Sequence, residues 1–304
     1  MGKSVFVSYS HQQADWVRNT LCPVLNAWGA DVLIDALRFQ AGVAMYEQMD
    51  AIQDRAEIHL LVLSPDYLAS APCLHEMKRA VAADPSFSKG CVLPVVREAC
   101  TLPPEIKSPN PLYVKLVDDS NGDQWDLVTE KFGANIGVSA AEWLRARRAV
   151  RDAMLDGRSV NLVVQGSPDR KGLLAQLRAD LGQLAIVDLE SGATVGRQSL
   201  ITEILRALGS TVVARKSPDD LRDLHLGVME APGPVRLAFR HFDVLRSRAN
   251  NYKEDFFSAL KFLVEERQLV LFIESRAPYT TLLPATNSLS MIQMKTVELR
   301  GRAT

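Results

Sequence analysis

Polar side chains that could do chemistry follow three strand-like apolar segments in the first quarter of the chain. Ser8-Tyr9-Ser10-His11 ends the first segment, residues 35–42 follow the second, and residues 64–76 follow the third. Ligands of an open parallel sheet bind outside the carboxyl ends of its strands, so the three stretches are predicted to meet at one edge. The sequence therefore predicts a ligand site at this edge of the sheet.

Short apolar strands alternate with helical segments throughout the first half of the chain. Strands are predicted over 4–9, 31–35, 58–63, 91–96 and 112–117. Helical spacing of apolar residues connects them, and one helix is predicted to start at the Ser64-Pro65-Asp66 turn and to run over 66–83. Short strands that alternate with helices imply a parallel sheet covered on both faces. The predicted fold is α/β, with a flavodoxin-like doubly wound parallel sheet.

A second α/β domain is predicted in the other half of the chain. Further strands are predicted over 160–165, 185–189, 235–239, 269–274 and 296–299. An arginine-rich helix precedes them over 140–156, and its arginines indicate either a solvated helix face or a partner-binding surface. The predicted domains are therefore 1–138, a linker helix over 139–157, and 158–304.

Composition excludes several classes of protein. The 304 residues carry 35 basic and 36 acidic side chains, which removes any global charge argument for binding nucleic acid or a membrane surface. No apolar run reaches the ~18–20 residues that span a bilayer, and the amino terminus reads as a buried strand, so a cytoplasmic protein is expected. The four cysteines form no CxxC pair and the five histidines are scattered, so no metal site is predicted.

Three motifs in order resemble a Toll/interleukin-1 receptor (TIR) domain over about residues 3–135. They are the opening FVSYSH, the second strand with the loop from Asp35 to Gly42 (the BB loop of the family), and LSPDYL…S..C..E from Leu63 to Glu76. The resemblance implies one of two functions. TIR domains are either protein-interaction adaptors or enzymes that cleave NAD at the nicotinamide–ribose bond.

The resemblance assigns the catalytic role to Glu76. In the enzymatic members a Glu early in the third helix is catalytic, within a pattern close to S-x-W-C-x-x-E-L, and Ser70, Cys73 and Met77 stand in the places of its Ser, Cys and Leu. One carboxylate is sufficient, because nicotinamide leaves as a neutral group and the transition state resembles an oxocarbenium ion. The alternative for Glu76 is an ordinary solvated side chain in the first helical turn, favoured by the helix dipole.

Two positions depart from the family pattern. Pro72 stands in the place of the Trp, and the acid usual in the BB loop is missing because Arg38 directly precedes Phe39. Phe39 or Tyr67 could stack on a ring of NAD. Arg38 could bind the phosphate or ribose of NAD, or it could be a mobile cation of the loop. The residues predicted to bind NAD as substrate are Ser8, Tyr9, Arg38, Phe39, Tyr67 and Cys73.

The turn after strand 160–165 resembles a phosphate-binding loop without its functional residues. A P-loop needs G-x-x-x-x-G-K-S/T, whereas the turn 166–173 inverts the Gly-Lys order and places Leu173 at the hydroxyl position. Pro168 removes an amide and Asp169 adds charge of the wrong sign. Segments 235–243 and 269–278 resemble the Walker B and sensor regions of STAND-type (AAA-related) NTPases. Residues 158–304 are therefore predicted to form a degenerate STAND-like domain that has lost nucleotide hydrolysis, or else an unrelated α/β domain, and no ATP is predicted as a cofactor.

Together these features favour a TIR effector that cleaves NAD on activation or oligomerisation, and the resemblance implies a role in bacterial antiviral defence. The expected partners are other copies of its TIR domain and a sensor or activator protein bound by 158–304. Nucleic acid would be met only through such a partner, and no membrane is expected. The alternatives are a non-catalytic TIR adaptor that assembles a complex through its BB loop, and a TIR enzyme that makes a cyclic messenger from NAD.

Overall fold

The computed structural model describes residues 2–34, 45–133, 136–166, 171–214 and 221–301. The chain divides into two compact units, Met1–Leu144 and Arg145–Thr304. The described residues of each unit contain a five-stranded, wholly parallel β-sheet with helices between its strands. The prediction of two α/β domains with parallel sheets is confirmed.

The sheet of the first unit has the flavodoxin-like strand order. Its strands are β1 (Ser4–Tyr9), β2 (Asp31–Leu33), β3 (Ile58–Leu63), β4 (Val92–Val96) and β5 (Val114–Lys115). They lie in the order β2-β1-β3-β4-β5, which is the doubly wound order that the sequence predicts. All six residues of β3 are buried, as expected for a central strand with helices on both faces. The edge strand β5 is shorter than predicted, since Leu112 and Val117 at the ends of the apolar run are exposed.

Helical segments follow the strands of the first unit along the chain. They are α1 (Ala14–Trp16), α2 (Cys22–Ala27), α3 (Met45–Gln53), α4 (Pro65–Ala69), α5 (Ala71–Ala83), α6 (Pro104–Lys107) and α7 (Gly122–Thr129). The single helix predicted over 66–83 is wrong, because α4 and α5 are separate and Ser70 between them is extended. Pro72 accounts for the break: in a continuous helix it would lack an amide for Leu68 and clash with that carbonyl.

The second unit has its first strand in the interior of the sheet. Its strands are β6 (Val160–Gln165), β7 (Ala185–Asp188), β8 (Val235–Arg240), β9 (Leu269–Ser275) and β10 (Lys295–Arg300), in the order β10-β6-β9-β8-β7. The helices after the division are α9 (Lys171–Leu181), α10 (Arg197–Leu208), α11 (Leu221–Met229), α12 (Leu245–Glu265) and α13 (Tyr279–Leu282). One core cluster of this unit consists of aliphatic and aromatic side chains from β7, β8 and β9, from α10 to α13, and from the segments beside them.

The division between the units falls inside α8 (Ala140–Leu155), the arginine-rich helix. Its Arg147 is not part of a solvated face, since only 2% of its side chain is exposed. Arg147 Nε and Nη2 donate to the two carboxylate oxygens of Asp180 on α9, at 2.8 and 2.6 Å. This bidentate pair satisfies a buried guanidinium that the sequence pattern places on the surface.

No helix in the described part of the chain is long and apolar enough to cross a membrane. Among the same residues, no group of three His, Cys, Asp or Glu side chains is arranged to hold a metal ion. The four cysteines are free thiols, with Cys22 and Cys73 buried.

Candidate functional site

Two of the three predicted stretches meet at the carboxyl edge of the first sheet. Ser8 and Tyr9 end β1 and pair in register with Leu61 and Val62 of β3, so the residues that follow each strand are neighbours. The α4 helix starts directly after β3, and α5 follows it. The remaining stretch, residues 35–42 with Arg38 and Phe39, lies outside the described residues.

Two serine caps fix the helices that carry this edge. Ser64 Oγ accepts a hydrogen bond of 3.1 Å from the amide of Tyr67 and caps α4, while Ser70 Oγ accepts from the amide of Cys73 at 3.5 Å and caps α5. Each cap satisfies an amide that the first turn of a helix leaves without a partner. The caps therefore fix where Tyr67 and Glu76 lie relative to the ends of the strands.

Glu76 is a buried carboxylate in contact with the end of β1. It lies in the second turn of α5 and is 3% exposed, so it is neither a first-turn nor a solvated side chain. Ser8 Oγ donates a short hydrogen bond to Glu76 Oε2. Tyr67 Oη lies 2.8 Å from the same Ser8 oxygen. Three residues that are distant in sequence thus form one buried hydrogen-bonded chain.

Burial strengthens the hold of the Tyr67 hydroxyl on its proton. Loss of solvent raises the pKa of Tyr67 well above its ordinary value, and the negative charge of Glu76 raises it further. Tyr67 therefore keeps its proton at physiological pH. Its ring is 0% exposed, so in this conformation the aromatic face is not accessible to a substrate.

Cys73 and Tyr9 lie beside the hydrogen-bonded residues Ser8, Tyr67 and Glu76. The Cys73 thiol donates to the backbone oxygen of Tyr9 at 3.5 Å, and both side chains are buried. The structure therefore brings together Ser8, Tyr9, Tyr67, Cys73 and Glu76 of the residues predicted for the site. Their predicted contact with NAD stays a prediction.

Gln53 is a further residue of this region that the sequence analysis missed. It is buried at the end of α3, and its Nε2 donates to the backbone oxygen of Glu76 at 2.9 Å. Asp50 of the same helix lies 3.0 Å from both His75 Nε2 and Arg79 Nε on α5. Gln53 is four residues after the buried Met49, so the signal was a polar residue that continues an apolar helix face.

The second sheet also carries charged side chains at its carboxyl edge. Arg240 Nε lies 3.5 Å from Oε2 of the fully buried Glu274, and Arg240 Nη1 lies 3.3 Å from Asp188 Oδ2. Asp188 Oδ1 is 2.7 Å from His241 Nδ1. Burial works to raise the pKa of Asp188, but the hydrogen bonds from His241 and the Glu190 amide, with the Arg240 charge, hold it below its ordinary value. Residues 167–170 of the P-loop-like turn lie outside the described residues.

Comparison with known proteins identifies the first unit. Residues 5–131 match the model of the TIR domain family. The chain carries an amino-terminal TIR domain. The match covers the sheet and the helices that hold Ser8, Tyr67 and Glu76. A search of curated proteins finds no match to the chain.

Solved structures resemble each half of the chain at low identity. The TIR domain of the Toll-related receptor TRR-2 from Hydra magnipapillata is 18% identical with a TM-score of 0.37, over 42% of this chain and 95% of that one. A Walker-type ATPase from Pyrococcus abyssi is 13% identical with a TM-score of 0.39, over 51% of this chain and 52% of that one. The Orc1 protein of Aeropyrum pernix, solved in complex with DNA, is 13% identical with a TM-score of 0.39, over 53% of this chain and 45% of that one. The matched region is thus about half of each of the last two chains.

Proposed function

We propose that the TIR domain cleaves NAD at the nicotinamide–ribose bond, with Glu76 as the catalytic carboxylate. The observation that supports this most is the placement of Glu76. It is a buried carboxylate at the carboxyl edge of a doubly wound sheet, where such folds bind ligands, and a hydroxyl from β1 fixes its orientation. TIR domains include NAD-cleaving enzymes, and Glu76 occupies the position of their catalytic Glu.

The chemistry needs one carboxylate and water. The bond between the ribose carbon and the nicotinamide nitrogen breaks, and the electron pair leaves with nicotinamide, which becomes neutral. The ribosyl group gains oxocarbenium character, and the Glu76 carboxylate stabilises that positive charge. Water then adds to the ribosyl carbon and loses a proton to solvent, which gives ADP-ribose. No acid has to protonate the leaving group.

Two events are proposed to regulate NAD cleavage: the assembly of TIR domains and the binding of a sensor protein. TIR domains of several copies would associate and complete the NAD pocket, and residues 158–304 would bind a sensor or activator protein in antiviral defence. The second unit would act without nucleotide hydrolysis, because the P-loop-like turn has Gly172 and Leu173 where a P-loop has its Lys and its hydroxyl residue.

The test is nicotinamide release from NAD by the full chain, alone and under crowding that promotes self-association. Glu76→Gln keeps the size of the side chain and an oxygen that can accept from Ser8, but removes the charge. We expect this variant to lose activity by about 10²-fold or more, as when a residue that stabilises transition-state charge is removed. Glu105→Gln is the matched control, since Glu105 is exposed on α6. Equal rates for Glu76→Gln and the parent would show that Glu76 is not catalytic.

One observation favours a second candidate, a TIR adaptor without chemistry. Pro72 replaces the Trp of the enzymatic pattern and forms the start of α5. An adaptor would show no NAD turnover in any assembled state, and would lose partner binding on substitution of Phe39 or Gly42. If NAD is consumed, analysis of the products separates hydrolysis from cyclisation, because both begin with the same bond cleavage.

A further inference from the structure

We infer that Tyr67 and Ser8 are positioning residues for Glu76: the Tyr67 hydroxyl acts on the carboxylate through the Ser8 hydroxyl and contacts no substrate. This inference rests on the proposed function of Glu76. The role inferred for Tyr67 is therefore to position Glu76 and not to stack on a ring of NAD.

The direction of the hydrogen bonds follows from the groups themselves. An ionised carboxylate only accepts, so the bond between Ser8 Oγ and Glu76 Oε2 uses the single proton of the serine. The bond of 2.8 Å between Ser8 and Tyr67 then takes its proton from Tyr67. Tyr67 keeps that proton near neutral pH, as an ordinary tyrosine does, and burial raises its pKa further. The hydrogen bonds therefore run from Tyr67 through Ser8 to Glu76, and each bond polarises the next.

Each member of the chain is held by a rigid element. Ser8 is 1% exposed and lies in β1, where it pairs in register with Leu61 of β3. The backbone of Tyr67 is fixed by the Ser64 cap, and its ring belongs to the apolar cluster that includes Leu63 and Met77. Because the ring contributes to the core, its hydroxyl has little freedom to turn away from Ser8.

A fixed carboxylate matters for the reaction because the positive charge develops at one small centre, and the carboxylate must lie close to it to stabilise it. Misplacing a reacting group by about 1 Å can cost ~10²-fold in rate. Loss of the Ser8 hydroxyl removes the direct bond to the carboxylate, so Ser8→Ala should lower kcat by about 10². Loss of the Tyr67 hydroxyl only weakens that bond, so Tyr67→Phe should lower kcat by about 10-fold.

Steady-state kinetics of four variants of the full chain test the inference. Tyr67→Phe keeps the ring, so we expect lower kcat with KM within about twofold of the parent, as for an interaction made in the transition state. Ser8→Ala combined with Tyr67→Phe should equal Ser8→Ala alone, because Tyr67 acts through Ser8. Tyr113→Phe removes the same hydroxyl from a half-buried tyrosine elsewhere in the domain and should change neither constant.

Several kinetic results would overturn the inference. Unchanged kcat in Tyr67→Phe would show that the hydroxyl has no role. A raised KM with unchanged kcat would show a substrate contact instead. Multiplied losses in the double variant would show that Tyr67 and Ser8 act independently.

A second readout separates this inference from the proposed function. Carbon-13 NMR of the Glu76 carboxyl, assigned by its loss in Glu76→Gln, reports the hydrogen bonding of the carboxylate without any turnover. We expect the resonance to shift in Tyr67→Phe and to stay in place in Tyr113→Phe, with thermal unfolding as the check on folding. A shift in a protein that cleaves no NAD would refute the proposed function and leave the coupling intact. An unmoved resonance would refute the coupling whatever the activity.

Discussion

Replacing Arg147 should destabilise the second unit although the sequence pattern places this residue on a solvated face. Arg147→Ala removes a guanidinium that is 2% exposed and leaves the Asp180 carboxylate without its bidentate partner. Breaking a buried ion pair from one side typically costs about 3–5 kcal/mol. The Asp180 side chain keeps 14% of its surface exposed and can recover some solvation, so we expect the low end, about 3 kcal/mol. For a domain of this size that corresponds to a fall of roughly 6–12 °C in the Tm of the second unit.

The assay is thermal and urea unfolding of the full chain, followed by probes that report each unit separately. The paired variant Arg147→Met with Asp180→Leu is the control, because it removes both charges and keeps apolar volume. It should be much less destabilised than Arg147→Ala, since no unpaired charge remains. A loss below about 0.5 kcal/mol in Arg147→Ala, the range of ordinary surface substitutions, would refute the reasoning.

Two further predictions concern packing and pH. In Gly227→Ala the new Cβ would lie 2.1 Å from Leu205 Cδ2, so we expect a loss of about 1–3 kcal/mol in urea unfolding, while Gly233→Ala, which meets no atom within 4 Å, should lose less than about 1. Burial raises the pKa of Cys22 to about 12 from 9.0. Above pH 9 the unfolded state therefore loses this proton before the folded state does, and stability falls as pH rises from about 9 to 12. Cys22→Ala should make the unfolding free energy less dependent on pH over that range, and an unchanged slope would contradict the assignment.

The strands were predictable from the sequence because each is a short apolar run that ends in a polar or turn-forming stretch. The same pattern predicted that Ser8 and the segment 64–76 meet at one edge, since the carboxyl ends of parallel strands share an edge. The break before α5 was also predictable, because Pro72 cannot lie inside a continuous helix even though apolar residues at helical spacing stand on both sides of it.

The partners of buried polar groups could not be predicted in this way. Periodicity shows which face of a helix is buried, but it does not show which distant group satisfies a polar residue on that face. Arg147 is one of several arginines close together in α8, and only the position of Asp180 on α9 distinguishes it from the others. Gln53 is recognisable as a polar residue on an apolar face, yet its bond to the Glu76 carbonyl depends on how α3 packs on α5.

The central claim, that Glu76 is the catalytic group of an NAD-cleaving TIR domain, is tested most directly by one rate ratio. The initial rate of nicotinamide release from NAD is measured for the parent and for Glu76→Gln at matched concentration, under the condition of assembly that gives the highest rate. The account predicts release by the parent and a rate at least about 10²-fold lower for Glu76→Gln. Release at equal rates, or no release by the parent under any condition of assembly, would contradict it.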